Sequence, residues 1–258
     1  MLRPRITPCL LVHKGGLVKT VGFKTPKYVG DPINAVKIFN EKEADELIVL
    51  DIDASIYNAE PDYRMIANLA AECRMPLCYG GGIKTPEQAK KIVSLGVEKV
   101  AISSAAVEHP ELITQIAHEI GRQSVVVVLD VKKRLLSNNY DVFTHNALHN
   151  TKRSVFELAV LFEELGAGEL IINSIDRDGA MNGYDLVLAE EIRYAVNIPI
   201  TILGGAGSLN DIVALIHACG VVGASAGSLF VFKGVFKAVL INYPTLEQRD
   251  KLSQSGLC

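Results

Sequence analysis

Residues 44–53 read ADELIVLDID and residues 167–176 read AGELIINSID, identical at six of ten positions at a spacing of 123. At the same spacing Pro76 falls on Pro199, and Gly81-Gly82 fall on Gly204-Gly205. Two matches in one register mark an internal duplication. Outward from these stretches, apolar, β-branched runs recur eight times: Ile6–Val12, Leu47–Ile52, Pro76–Tyr79, Lys99–Ser103, Ser124–Asp130, Leu170–Ser174, Ile198–Leu203 and Val221–Ser225. They are continuous rather than alternating, as strands buried on both faces should be. Helical patterns separate them. Asp31-Pro32, Thr85-Pro86-Glu87 and His109-Pro110-Glu111 each place a capping residue before a first-turn proline, and Ser154–Leu165, Leu186–Val196 and Ser208–Ala218 read the same way. Eight strand–helix units in 258 residues have the rhythm of an α/β (β/α)8 TIM barrel. A doubly wound open sheet is the alternative. The duplication divides the barrel into two fused half-barrels, about 1–122 and 123–258, within a single domain, 1–258.

Composition narrows the function classes. With 26 basic and 29 acidic residues the net charge is −3, which argues against a nucleic-acid or anionic-membrane surface. No apolar run reaches the roughly 18 residues of a membrane span, and Met1-Leu2-Arg3-Pro4-Arg5 lacks a secretory apolar stretch. Five scattered cysteines, Cys9, Cys73, Cys78, Cys219 and Cys258, form no CxxC pair, so no disulfide framework or zinc site is expected and a reduced cytoplasm fits.

In a barrel of this kind, chemistry gathers at the C-terminal ends of the strands, where glycine-rich turns bind phosphate. The third strand ends Tyr79-Gly80-Gly81-Gly82-Ile83; its repeat mate ends Leu203-Gly204-Gly205-Ala206-Gly207. The fourth ends Ser103-Ser104-Ala105 and the eighth Ala226-Gly227-Ser228. Glycines alone make tight turns, but two symmetry-related clusters, each followed by a small-residue strand end, point to two phosphates on one elongated ligand. Asp130 closes the fifth strand, where a barrel enzyme places an acid or base. Asp51 and Asp53 end the second strand, two residues apart and so on one side of it. The sixth strand runs into Asp176-Arg177-Asp178-Gly179. Each of these aspartates could instead cap a helix. Lys19, in the first loop, could meet a phosphate or simply be solvated. At the opposite ends, Arg5, Glu46, Lys99 and Glu169 stand at or just before strand starts, where two cations and two anions could close the floor, ordinarily a stability device. His145 and His149 fall in a stretch that reads as a loop, and no metal site is expected there.

The chain resembles the cyclase subunit of imidazole glycerol phosphate synthase, HisF, over essentially its whole length. The resemblance rests on RITPCLLV at 5–12, VGDP at 29–32, ADEL-VLDI-AS at 44–55, YGGGI at 79–83 and KVAISSAAVEHPELI at 99–113. It continues through VVVVLDVKK at 125–133, LGAGELIINSIDRDG at 165–179, NGYDL at 182–186, GGAG at 204–207 and AGSLF at 226–230. It implies a duplicated half-barrel that holds a bis-phosphorylated ribulose–aminoimidazole substrate across its mouth and needs no cofactor. It also implies a HisH-like glutaminase bound at the floor in a heterodimer, whose ammonia crosses a charged gate and travels up the barrel. The gate positions match Arg5, Glu46, Lys99 and Glu169. The phosphate positions match Gly82, Ser103 and Ser104 in one half and Asp178, Gly179, Gly205, Gly227 and Ser228 in the other, with Ser103 in place of the family's usual Asn.

The main departure is at the first strand. The family carries one catalytic aspartate per half; Asp130 matches one, and Leu11 stands where the other is expected. Leucine cannot move a proton, and losing one acid–base group typically costs roughly 10²–10⁴-fold in rate. Asp53 is a candidate substitute. Gly15-Gly16-Leu17 and Thr20 also replace a more polar family pattern. The resemblance therefore implies a second-copy HisF-like protein that passes ammonia to a different acceptor, as in amidino-sugar synthesis for surface polysaccharide, with a sugar amidotransferase as a further partner. The alternatives are a true histidine-pathway cyclase tolerating Leu11 and a non-catalytic scaffold that binds phospho-ligand and partner.

Overall fold

The structure, a computed structural model, describes residues 3–256 apart from 136 and 138; Met1, Leu2 and Cys258 lie outside them. The chain opens with β1 (Arg5–His13), which turns back through an antiparallel hairpin, β2 (Gly16–Val21) and β3 (Lys24–Gly30), into α1 (Pro32–Glu41). There follow β4 (Leu47–Asp51), α2 (Tyr63–Glu72), β5 (Leu77–Gly80), α3 (Pro86–Ser94), β6 (Lys99–Ile102), the short α4 (Ser104–Glu108) and α5 (Glu111–Ile120). The second half runs in the same order. A long strand, β7 (Val125–Lys133), turns back through its own hairpin, β8 (Tyr140–Thr144) and β9 (His149–Ser154), into α6 (Val155–Glu164). Next come β10 (Glu169–Ser174), α7 (Leu186–Ala195), β11 (Ile200–Leu203), α8 (Leu209–Cys219), β12 (Gly223–Ala226) and the short α9 (Ser228–Val231). A small hairpin, β13 (Phe232–Lys233) and β14 (Ala238–Val239), and α10 (Leu246–Gly256) complete the described chain.

Eight strands, β1, β4, β5, β6, β7, β10, β11 and β12, pair in parallel in that order, and β12 returns to β1 to close a (β/α)8 barrel. All eight strands expected from the sequence are present, with ends shifted by a few residues. The caps explain why the helices start where they do. The Asp31 carboxylate accepts from Asn34 N ahead of Pro32, and Thr85 forms a reciprocal capping box with Gln88 ahead of Pro86. Ser208 makes a similar box with Asp211. His109 does not cap the third proline-led helix; it ends α4, and Pro110 precedes α5.

Two features differ from the sequence reading. Residues 140–154 are a β-hairpin rather than a loop, because their hydrogen bonds go to the outer end of β7, which no local pattern shows. The first loop is likewise a hairpin, and Lys19 sits within β2.

Strand alternation sorts the side chains into two cores. One lies between sheet and helices and includes Val49, Val100, Val127, Leu170 and Ile202 with Phe39 and Phe162. The other fills the barrel itself: Cys9, Ile48, Cys78, Ala101, Val126, Val128, Ile171 and Leu203, with Leu11 and Leu50 packed against it. Below the first half, Phe39 meets Tyr243 edge-on at 6.4 Å, and the Tyr243 hydroxyl donates to Ile6 O at 2.7 Å, tying the last segment to β1.

Phe39 is fully buried. Phe39→Ala is expected to destabilise the protein by about 3–5 kcal/mol through lost burial and the cavity left behind, measured by urea unfolding.

Candidate functional site

One cavity of about 560 Å³ opens at the C-terminal ends of the strands. Eleven mouth residues singled out in the sequence line it: Lys19, Asp51, Gly82, Ser103, Ser104, Asp130, Asp178, Gly179, Gly205, Gly227 and Ser228; Asp53 and Asp176 do not. Leu11 lines it too, on the strand across the barrel from Asp130.

The glycine clusters have a local physical reason. Gly82 and Gly205 adopt φ of +75° and +114°, which disfavour any L side chain, and each lies against another loop's backbone. A Cβ would fall 2.8 Å from Ala59 O at Gly82 and 2.1 Å from Gly183 O at Gly205. Both turns therefore keep bare backbone, and beside each a short helix begins at a small residue, α4 at Ser104 and α9 at Ser228. Neither helix start has a side-chain cap, so both leave backbone N–H groups beside the cavity.

The two hairpins cross between the halves. The first reaches the second-half cluster: Asp178 accepts from the Thr20 hydroxyl at 2.6 Å and from Phe23 N at 3.0 Å. Lys19, in the same hairpin, is buried, donates from Nζ to Cys9 O, and stands so close to Gly227 that a Cβ there would lie 2.2 Å from Nζ. Burial lowers the Lys19 pKa, although Cys9 and Asp178 oppose the shift. The second hairpin reaches the first-half cluster, where His145 N donates to Ser104 Oγ at 2.9 Å.

The carboxylates divide by environment. Asp130 is pushed up to about 7 by burial; Asn173, donating from Nδ2 at 2.8 Å, opposes this, and the charge of Asp178 adds to it. Such a group can both give and take a proton near neutrality. Asp51 accepts from Asp53 N at 2.9 Å and Ala54 N at 3.2 Å, so it caps the turn after β4, and burial raises its pKa. Asp53 lies beyond the end of β4, where strand alternation no longer governs direction. It accepts from the His13 ring at 2.7 Å and from Lys14 N at 2.8 Å, and it is not among the residues lining the cavity.

Roughly 13 Å below the strand ends, the four floor residues close a ring. Arg5 donates to Glu46 at 2.9 Å and to Glu169 at 2.6 Å; Lys99 Nζ donates to Glu46 at 2.7 Å and to Glu169 at 2.8 Å. Burial opposes ionisation of Glu169, but the Arg5 and Lys99 charges outweigh it and hold its pKa below the ordinary value. Glu169 and Glu46 in turn outweigh burial at Arg5 and Lys99 and raise theirs. Between floor and mouth lies the apolar inner core. Burial keeps its two thiols neutral, raising Cys9 to about 11 and Cys78 well above the ordinary thiol value. Among the described residues Cys9, Cys73, Cys78 and Cys219 are free, and no group of three or more His, Cys, Asp or Glu side chains could hold a metal ion.

Sequence reading missed three supporting residues: Asn173 on Asp130, Thr20 on Asp178, and Thr201, which donates to Glu169 at 2.6 Å. Asn173 and Thr201 could have been found from alternation, since each shares the inward face of its strand with Ile171 or Leu203. Thr20 carries no such signal, because its hairpin was not read.

The profile of the histidine biosynthesis protein family matches residues 5–237. A Leptospira interrogans protein, provisionally named as imidazole glycerol phosphate synthase subunit HisF, is 58% identical over 98% of this chain and 99% of its own. A Vibrio vulnificus protein, provisionally named as subunit hisF3 of the same synthase, is 57% identical over 97% and 96%. The imidazole glycerol phosphate synthase subunit HisF of Lactococcus lactis is 42% identical over 83% of this chain and 82% of its own. Among the described residues no helix is long and apolar enough to cross a membrane.

Because the folded Asp130 titrates at about 7 rather than near 3.8, the native state favours its protonated form. Its contribution to stability is full at low pH and is lost as pH rises through about 7. Asp130→Asn should raise Tm relative to the parent by an amount that grows between about pH 4 and about pH 7 and then levels off, measured by thermal unfolding across pH.

Proposed function

The chain is a member of the HisF family, and on that premise we propose that it is the barrel subunit of a cytoplasmic glutamine amidotransferase complex. A HisH-like glutaminase docks at the floor and releases ammonia beneath the Arg5–Glu46–Lys99–Glu169 ring. Displacing one cation opens the ring. Ammonia then passes the neutral inner core of Cys9, Cys78, Ala101 and Val126, which offers no carboxylate to protonate it. At the mouth, a ligand with two phosphates spans the Gly82–Ser103–Ser104 cluster and the one formed by Asp178, Gly179, Gly205, Gly227 and Ser228. Backbone N–H groups hold the phosphates, and Lys19 adds its charge at the second cluster.

The observation that carries the reading of this copy is Leu11. It lines the cavity opposite Asp130, where family chemistry needs a second proton-transferring group. Asp53 is turned away to His13, so Asp130 works alone. Ring closure with lyase cleavage loses half its acid–base apparatus while gate, path and phosphate clusters keep theirs. The ammonia accordingly serves another acceptor, a sugar that a partner sugar amidotransferase converts to an amidino sugar. One observation favours a second reading, a true cyclase tolerating Leu11: Asp130, titrating at about 7, is suited to act as acid and base in turn.

Position 11 separates the two. With ammonia and the bis-phosphate substrate, the purified protein should turn over at least about a hundredfold below a normal cyclase, and Leu11→Asp should recover part of the loss. Turnover at the normal rate establishes the second reading instead. Lys99→Ala should uncouple glutamine hydrolysis from ammonia use at the mouth, measured as glutamate released per product formed; unchanged coupling counts against the gate. A protein that stimulates no glutaminase is a phospho-ligand scaffold.

A further inference from the structure

The second hairpin ends in an imidazole whose neighbours give it a specific task. His145 lines the mouth cavity, and its backbone N–H is fixed to Ser104 Oγ at 2.9 Å, inside the first-half cluster. Its Nδ1 lies 3.2 Å from Thr144 Oγ1 and 3.5 Å from Glu108 Oε1. Among the described residues Nε2 has no hydrogen-bond partner, so it is the ring nitrogen left for a ligand. The turn that presents the ring is strained: His145, Asn146 and Ala147 have φ of +53°, +54° and +62°, three successive left-handed residues with no glycine among them. A left-handed alanine costs about 1 kcal/mol or more, and such strain persists where the surroundings over-determine it. Here the Ser104 bond anchors one end of the turn. On the other side of the strands Arg153 donates to Val107 O at 3.2 Å, clamping the same hairpin to α4.

The two hairpins also make a pair. Each leaves the first strand of one half and lies over the glycine cluster of the other half. The first brings a buried cation, Lys19, to Gly227. The second brings His145 to Ser104. Glu108 and Glu111 also line this side of the cavity, as do Lys84 and His109.

We propose that His145 binds the ligand's phosphate at the Gly82–Ser103–Ser104 cluster, donating from Nε2, so that each end of a two-phosphate ligand meets one hairpin-borne nitrogen from the opposite half of the barrel. This rests on the reading of that cluster as a phosphate site. It makes His145 a ligand-binding residue at one end, opposite Lys19.

The experiment titrates inorganic phosphate into the full chain while the His145 ring is followed by imidazole 1H–15N NMR, with binding measured by calorimetry. His145→Asn assigns the signal and suits the left-handed backbone; His145→Arg restores a donor with charge. The expected result is a saturable shift of the His145 ring, about tenfold weaker phosphate binding at that site in His145→Asn, and recovery in His145→Arg. Saturable phosphate binding with an unmoved His145 ring overturns the role of His145 and leaves the phosphate cluster standing. Absence of saturable phosphate binding in the parent protein overturns the cluster reading and this one together. Either variant assigns the signal by its loss from the spectrum, so the parent's ring signal decides even if one of the two fails to fold.

Discussion

Closing eight strands on themselves leaves the barrel wall without an edge strand and encloses a narrow interior that side chains must fill, and that constraint places the floor, the inner core and the mouth. Alternate residues point inward. On β1 those are Arg5, Thr7, Cys9 and Leu11; on β10 they are Glu169, Ile171 and Asn173. Floor charges, apolar middle and mouth chemistry are thus successive layers of one face of one sheet. A one-residue slip of any strand would exchange its inward set for residues of the outer core.

The floor shows how such a layer can hold charge. Glu46 and Glu169 are nearly out of contact with solvent, and a lone buried carboxylate is costly. Each meets both Arg5 and Lys99, and Glu169 also takes the Thr201 hydroxyl. Replacing one member strands the others, which is why the ring behaves as a unit. Its cations are the more exposed half, with side-chain exposures of 32% for Arg5 and 19% for Lys99 against 6% and 7% for the glutamates. A change at the outer surface therefore meets the cations first.

The mouth is symmetric in plan and asymmetric in chemistry. Two glycine turns, two short helices and two crossing hairpins are shared between halves. The strands that carry them end differently. Asp130 on β7 pairs with Phe143 of its hairpin, and Leu11 on β1 pairs with Val18. Equivalent backbone positions thus hold a carboxyl poised near neutrality and an inert methyl pair. The repeat fixes where functional groups stand; the residue at each position sets which of the two can move a proton.

The sequence by itself determined the barrel, its repeat, ten of the mouth residues (all but Lys19) and the four floor residues. All of these depend on strand order and on position along a strand, and both are written in hydrophobic runs and glycine turns. Asp53 shows where that logic stops. Two residues past Asp51 it would share its side only if the strand continued, but β4 ends at Asp51 and the turn delivers Asp53 to His13. The hairpins, and with them the burial of Lys19 and the seat of His145 on Ser104, were decided by tertiary structure alone. They pair onto the outer ends of β1 and β7, so nothing local in 16–30 or 140–154 announces where they sit. Burial likewise has no local signature, and it is burial that lifts Asp130 to about 7 and keeps the thiols of the inner core neutral.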